Sequence, residues 1–269
     1  MKKRAGKNIR RVEHKVENKI ELKKPEEICE KMKCREYISK LKKLFLKPSA
    51  FLNSVEKEKE YQPILAFFVV LSVMYFIISA LIGLFFKDIS ISYLSYLKDT
   101  LLEFVLIVVS SIVQPFIFGG IIHLGVLIFK GKEKYFDTFK VVTYALVIGI
   151  LYSFILLILA SIIKIVLPFN AAMLTQIATI EDPELVMELY LQFFAHPGAL
   201  LSLIVSVVIM IAAIIHQLVF LIKGISKYQQ LPKIKAAGAV ILPIIVAFII
   251  AMLIAIVITL LANSAGVAV

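Results

Sequence analysis

The residues best suited to chemistry in this chain are polar side chains inside long apolar runs. His123 and His216 each lie seven residues before a lysine that ends such a run. On a helix, seven residues place each imidazole about 10 Å deeper in a membrane than its lysine. Because charging a histidine in hydrocarbon is costly, each ring is expected to face protein. We predict an intramembrane polar seam of four side chains: His123, His216, Gln114 and Gln217.

Two kinds of chemistry remain open for the histidines. Neutral imidazoles could hydrogen-bond between helices. Alternatively, they could line a polar pocket that opens to the cytoplasm and binds a lipid headgroup or passes a proton. A metal site is disfavoured, because two histidines without nearby carboxylates or thiolates are too few ligands.

The other reactive groups do not form an enzyme constellation. The chain contains no G-x-S-x-G, Walker or H-E-x-x-H motif and no pair of intramembrane carboxylates. Cys29 and Cys34 have the spacing C-x4-C, which fits neither a common zinc pair nor a redox C-x-x-C motif. We therefore predict a protein that is not an enzyme, with no catalytic residues, no metal, no cofactor and reduced thiols.

Five apolar runs must position the polar residues. Of the 269 residues, 60% are hydrophobic, and the mean hydropathy is +0.92; soluble domains are about 45–50% apolar. A charge-free run of about 20 residues crosses the hydrocarbon layer as a helix. The composition predicts an all-α, polytopic membrane helical bundle and excludes a soluble enzyme or a disulfide scaffold. Its five transmembrane helices are expected at residues 64–86, 104–129, 141–163, 199–222 and 236–262.

The distribution of basic residues predicts the orientation. Residues 1–60 and the second and fourth connections hold 27 Lys and Arg, whereas the first and third connections and the C-terminal end hold 3. Cytoplasmic loops carry such an excess of positive charge. We expect a multi-pass protein of the cell membrane with a cytoplasmic N-terminus and a short outer tail at residues 263–269.

The first 60 residues are basic and partly amphipathic, with 19 Lys and Arg against 10 Asp and Glu. Residues 1–35 are expected to form a disordered or loosely helical cytoplasmic tail. Residues 36–60 resemble interfacial helices that bind anionic lipid headgroups, and the same face could receive a cytoplasmic protein. Basic residues that alternate with glutamate do not favour nucleic acid as a partner. The predicted docking side chains are Leu41, Leu44, Phe45, Phe51 and Leu52.

One segment of the chain is duplicated. Residues 123–135 align with residues 216–228 after a shift of 93, and six of the 13 positions are identical. Both copies run in the same direction, which predicts one span followed by two parallel-repeated hairpins. A lysine followed by glycine is typical of a helix end with a left-handed cap. Helix-end turns are therefore predicted at Lys130, Gly131, Lys223 and Gly224.

A short helix is predicted in the third connection. Asp182, Pro183 and Glu184 supply a cap, a first-turn proline and an acid at a helix N-terminus. The residues after them form an apolar stripe, and the triplet at 196–198, His-Pro-Gly, ends it. This pattern favours a helix that lies on the outer membrane surface.

Several short motifs together resemble the Yip family, membrane proteins named for interacting with Ypt/Rab-type small GTPases. The similarity covers about residues 40–262. It includes a Pro-Phe segment before the first span, a proline that opens that span, a central helix with a glycine turn, and tyrosines near the later spans. These features lie at residues 44–52, Pro63, 123–135, 143–145, Gly224, Tyr228 and 233–237.

The resemblance implies five spans and a cytoplasmic N-terminus. It also implies a link to GTPase recruitment, vesicle traffic or membrane shaping. A small GTPase partner rests on the resemblance alone, and the Lys/Glu-rich tail departs from the proline- or glutamine-rich tails of eukaryotic members. The 26 lysines against 4 arginines indicate an AT-rich microbial genome, and we expect an archaeal member.

Two classes of function remain open at this point. The first is a non-enzymatic membrane scaffold or adaptor that recruits a cytoplasmic partner or shapes the membrane. The second is a small transporter, channel or lipid-handling protein that uses the polar seam around His123 and His216. Five spans leave little room for an aqueous path, so the second class would require a homo-oligomer.

Overall fold

The computed structural model describes residues 37–86, 93–131, 134–169, 180 and 182–264. The predicted tail at residues 1–35, both cysteines and residues 265–269 lie outside the described residues. The chain divides between Ser54 and Val55 into two compact units.

The first unit contains two short helices in its described part. Helix α1 covers residues 37–46, and α2 covers Pro48–Ser54. Proline begins α2 because its fixed φ angle and missing N–H suit the first turn of a helix. The Ser54 hydroxyl donates a hydrogen bond to the Phe51 carbonyl oxygen at 2.7 Å.

The regular elements of the second unit's described part are all helices, and five of them are long and apolar enough to cross a membrane. The prediction of an all-α bundle with five membrane-length helices is confirmed. Each of these five helices extends beyond its apolar run at one end or both, because flanking polar residues continue the backbone hydrogen bonds. The helices are α3 (Tyr61–Phe85), α4 (Tyr93–Ile128), α5 (Tyr135–Val166), α6 (Pro183–Ala195), α7 (Pro197–Tyr228) and α8 (Lys233–Ser264).

Helix α5 lies at the centre of the second unit. It packs against α3, α4 and α7, while α8 packs against α4 and α7. Glycines allow the closest approaches: a Cβ atom on Gly224 would collide with Val141, and one on Gly125 would collide with the Ala239 backbone. Elsewhere the long helices expose many large apolar side chains, as expected of surfaces that face lipid.

Helix α6 begins and ends where the sequence pattern predicts. The Asp182 carboxylate accepts a hydrogen bond from the Glu184 amide at 2.9 Å, and Pro183 occupies the first turn. His196 ends this helix and also caps the next one, because its Nδ1 accepts a hydrogen bond from the Gly198 amide at 3.1 Å. The triplet predicted as a stop is therefore also a helix start.

The predicted turn at Lys223 and Gly224 is wrong. Helix α7 continues through both residues to Tyr228. Gly224 serves close packing against α5 instead, since its missing side chain makes room for Val141. The turn after α7 lies at Gln229 and Gln230, and Gln230 has a left-handed φ of 53°.

The turn after α4 lies close to its predicted position, but the left-handed residue is different. Lys130, not Gly131, has a positive φ, of 62°. The Lys130 amide bonds the Leu127 carbonyl at 3.0 Å, and the Gly131 amide bonds the Val126 carbonyl at 2.9 Å. These two bonds form a Schellman motif, which satisfies carbonyls left without partners at the helix end.

Candidate functional site

Polar side chains gather at the end of the bundle where the chain enters α3. Residues 55–60, here called the connecting segment, belong to the second unit. The Tyr144 hydroxyl on α5 donates a 2.7 Å hydrogen bond to the Glu58 carboxylate. The Lys227 ammonium on α7 donates a 2.8 Å hydrogen bond to the Glu56 carboxylate. Two helices thus hold the connecting segment by its acidic residues.

Lys140 is the most unusual residue at this end, because its side chain is only 1% exposed. Its ammonium lies 3.1 Å from the Asp137 carboxylate and 3.4 Å from the Glu58 carbonyl oxygen. The ammonium also lies 4.4 Å from the ring centroid of Tyr228 and 5.4 Å from that of Phe136. A buried cation is tolerated only when an opposite charge and further polar or aromatic groups replace its water.

The ion pair between Glu56 and Lys227 is more exposed than the Lys140 site. Glu56 is 61% exposed and Lys227 is 29% exposed. The hydrogen bond from Lys227, reinforced by its charge, lowers the pKa of Glu56 below the usual value of 4.5. This pair orients the connecting segment while remaining accessible to water.

Of the predicted seam, His123 lies near the same bundle end. Its Nδ1 shares a 3.0 Å hydrogen bond with the Thr138 hydroxyl on α5, and the Gln229 amide donates to the same hydroxyl at 3.0 Å. The ring of Tyr135 packs edge-on against the imidazole, with its centroid 5.3 Å away. This small network joins α4, α5 and the turn after α7.

His216 lies at a different level of the bundle. Its Nδ1 is 3.4 Å from the Tyr152 hydroxyl on α5, and the two rings meet edge to face. Tyr152 is 14 residues beyond Thr138 on the same helix, or about 21 Å along its axis. The two histidines therefore contact separate partners on α5.

The two seam glutamines do come together. Gln114 and Gln217 both line a cavity of about 460 Å³ among α3, α4, α5 and α7. Neither histidine lines this cavity. The structure thus brings the glutamines to one site and places His123 and His216 elsewhere.

The predicted docking and turn residues differ in exposure. Leu44, Phe51 and Leu52 are buried, whereas Leu41 and Phe45 are half-buried. Their role in docking to a membrane surface stays a prediction. The two lysines of the predicted turns, Lys130 and Lys223, are exposed, as snorkelling side chains would be.

Sequence reasoning missed most of the bundle-end network. Lys140 has a weak signal, since the repeat aligns it with Lys233 just before a span. The two glutamates of the connecting segment precede the first span directly, which is a second weak signal. Their partners on α5 and α7 are more than 80 residues away, at positions that hydropathy does not single out. Among the described residues, no group of three or more His, Cys, Asp or Glu side chains is placed to hold a metal ion.

Comparison with known proteins agrees with the observed architecture. Residues 42–256, about four fifths of the chain, match the Yip1 domain. No curated protein and no solved structure matches the chain. The match includes all or most of each of the five long helices together with α2 and the connecting segment. The chain is therefore a member of the Yip1 domain family of membrane proteins.

Proposed function

We propose that this protein is a non-enzymatic integral membrane scaffold or adaptor. Its basic N-terminal region, on the cytoplasmic side of the cell membrane, binds anionic headgroups and recruits a cytoplasmic protein. The class of partner that the family suggests is a small GTPase.

The anchoring of the connecting segment carries this proposal. Glu56 and Glu58 bind side chains on α7 and α5, so the chain leaves the membrane helices at a defined point. An adaptor needs its recruiting region tethered to a stable membrane anchor, and a flexible tail alone would not require these bonds. The polar groups of the network bind one another, which suits an anchor better than a catalytic centre.

Charge in the first unit provides the attraction for a partner. Lys42, Lys43 and Lys47 are exposed in or beside α1. Basic segments next to a membrane span attract anionic lipid or acidic protein surfaces, and salt weakens that attraction.

The test is a crosslinking pull-down from native membranes with the full chain. One variant carries Lys42→Glu, Lys43→Glu and Lys47→Glu. A matched control carries the same charge change at three exposed lysines of the second unit: Lys223, Lys233 and Lys235. We expect the first variant to lose a soluble partner that the wild type and the control retain. Capture of only the chain itself in all three forms would contradict the adaptor and favour a self-assembled transporter.

A transport or lipid-handling pathway that uses both histidines is not favoured, because His123 and His216 contact separate partners on α5. Substituting both His123 and His216 by alanine would change flux in reconstituted vesicles if they formed one pathway. The adaptor proposal expects flux to stay unchanged.

A further inference from the structure

The cavity among α3, α4, α5 and α7 is large enough to hold a small molecule. Its volume of about 460 Å³ lies within the range of about 300–1,000 Å³ typical of small-molecule sites. Gln114 and Gln217 are 14 and 11 residues from the ends of α4 and α7, or about 21 and 16 Å along the helices. Both residues lie inside the apolar runs at 104–129 and 199–222, so the cavity lies within the hydrocarbon layer, which is about 30 Å thick.

The serine hydroxyls of the cavity wall present acceptors rather than donors. Each donates its proton to a carbonyl oxygen of its own helix at 2.9 to 3.2 Å. The oxygen lone pairs remain available to a donor inside the cavity. These serines are Ser72, Ser110, Ser111 and Ser153.

The two glutamine amides present both donors and acceptors. Neither has a hydrogen-bond partner among the described residues, although both are half-buried and line the cavity. Gly149 creates the space for one of them, because a Cβ atom at that position would collide with the Gln217 Nε2. Polar groups in a membrane interior are costly unless they are paired. Two amides held towards one cavity therefore indicate a ligand that pairs with them.

The lining also defines the charge of that ligand. None of the described residues that line the cavity is charged; the remainder of the wall is apolar apart from the tyrosine hydroxyl of Tyr75. An ion in this cavity would lack a counter-charge, which is strongly unfavourable at this depth. Hydroxyl groups match the wall, because each donates to a serine or amide oxygen and accepts from an amide N–H.

We propose that this cavity binds a neutral, hydroxyl-bearing molecule, with Gln114 and Gln217 as the recognising side chains. Ser110 is exposed, whereas Ser111 and Ser72 on the inner wall are buried, so the cavity opens beside Ser110. That opening lies at the depth of the lipid chains. A neutral lipid with a free hydroxyl, such as a diacylglycerol, can reach this opening from the bilayer. A water-soluble polyol carries the same hydroxyl groups. The site is independent of the adaptor role.

The test uses the full chain in lipid nanodiscs and a photoreactive diacylglycerol as the probe. We expect the label on peptides of α3, α4, α5 or α7 that line the cavity. The double variant Gln114→Leu/Gln217→Leu should bind the probe about tenfold more weakly, because it loses two neutral hydrogen-bonding groups. Gln62→Leu, an exposed glutamine outside the cavity, should bind as the wild type does. Elution volume and thermal unfolding check that the variants fold.

Competition experiments distinguish a lipid ligand from a soluble polyol. Unlabelled diacylglycerol should displace the probe, and phosphatidic acid of the same chain length should not. Displacement by glycerol alone would support the hydroxyl chemistry and assign the site to a soluble polyol. Equal displacement by phosphatidic acid would overturn the proposal. In the wild type, labelling confined to helices that do not line the cavity would also overturn the proposal, whether or not the double variant folds.

Discussion

The second unit contains two polar regions that solve the burial of polar groups in opposite ways. At the bundle end, Lys140, Tyr144 and Gln229 are buried and each has a partner on another segment of the chain. Within the apolar part of the bundle, Gln114 and Gln217 face a cavity without such partners among the described residues. Paired polar groups stabilise a fold, whereas unpaired ones cost stability unless a ligand binds them. The first region therefore has the properties of an anchor, and the second those of a binding site.

The largest expected effect tests the anchor. Lys140→Ala removes a buried cation and leaves the Asp137 carboxylate without its partner at 3.1 Å. We expect a loss of on the order of 3 kcal/mol in the free energy of unfolding, measured by denaturant titration in detergent micelles. Lys227→Ala is the control, since its ion pair with Glu56 is exposed, and its effect should be much smaller. Equal losses in the two variants would mean that burial does not distinguish these lysines.

A smaller loss is expected from Tyr144→Phe. Tyr144 is fully buried, and its hydroxyl donates a 2.7 Å hydrogen bond to the Glu58 carboxylate. Hydrogen bonds to charged groups contribute about 2 kcal/mol, so thermal unfolding should shift downward accordingly. Tyr75→Phe removes a hydroxyl with no hydrogen bond among the described residues and serves as the control. An unchanged unfolding temperature for Tyr144→Phe would show that the connecting segment is not anchored through Glu58.

The exposed ion pair predicts a slight pH dependence. Lys227 lowers the pKa of Glu56 below 4.5 in the folded protein. The pair therefore stabilises the fold above pH 4.5 and loses this contribution as the pH falls through the lowered pKa. Between pH 7 and pH 3, the free energy of unfolding should fall slightly more steeply with decreasing pH for the wild type than for Glu56→Gln. Because Glu56 is 61% exposed, solvent screening keeps the difference small; a steeper fall in the variant would reverse the assigned sign.

The smallest expected effect concerns the cavity and sharpens the contrast most. Without ligand, neither Gln114→Leu nor Gln217→Leu should lower the free energy of unfolding, because no hydrogen bond is lost and an unpaired amide is removed. Gln229→Leu is the matched comparison, since this buried amide donates to Thr138 at 3.0 Å, and it should lose about 1 kcal/mol. A large loss from either cavity variant would show that these amides support the fold rather than a ligand.

The elements of the fold were largely predictable, and their exact ends were not. Apolar runs locate the five long helices because a bilayer requires about 20 apolar residues and internally satisfied backbones. Local signals also located α6, whose cap at Asp182 depends on neighbours two residues apart. The signal at Lys223 and Gly224 misled, because glycine serves helix ends and close helix packing equally well in sequence. Only the position of Val141 on α5 distinguishes the two uses.

The polar sites were predictable only in part. The sequence identifies Gln114, Gln217, His123 and His216 as unusual, since polar residues are rare inside apolar runs. It does not determine which of them meet. The two glutamines share a cavity, and each histidine has its own partner on α5. Helix rotation and packing order decide these neighbours.

By itself, the sequence determined the membrane class, the number of long helices and the family, because hydropathy and short motifs are local properties of the chain. The tertiary structure alone decided that Lys140 is buried among Asp137, Tyr228 and the connecting segment. It alone also gathered two unpaired amides around one cavity. Both outcomes depend on which faces of distant helices meet, and five apolar helices have no strong amphipathic pattern that would specify those faces in advance.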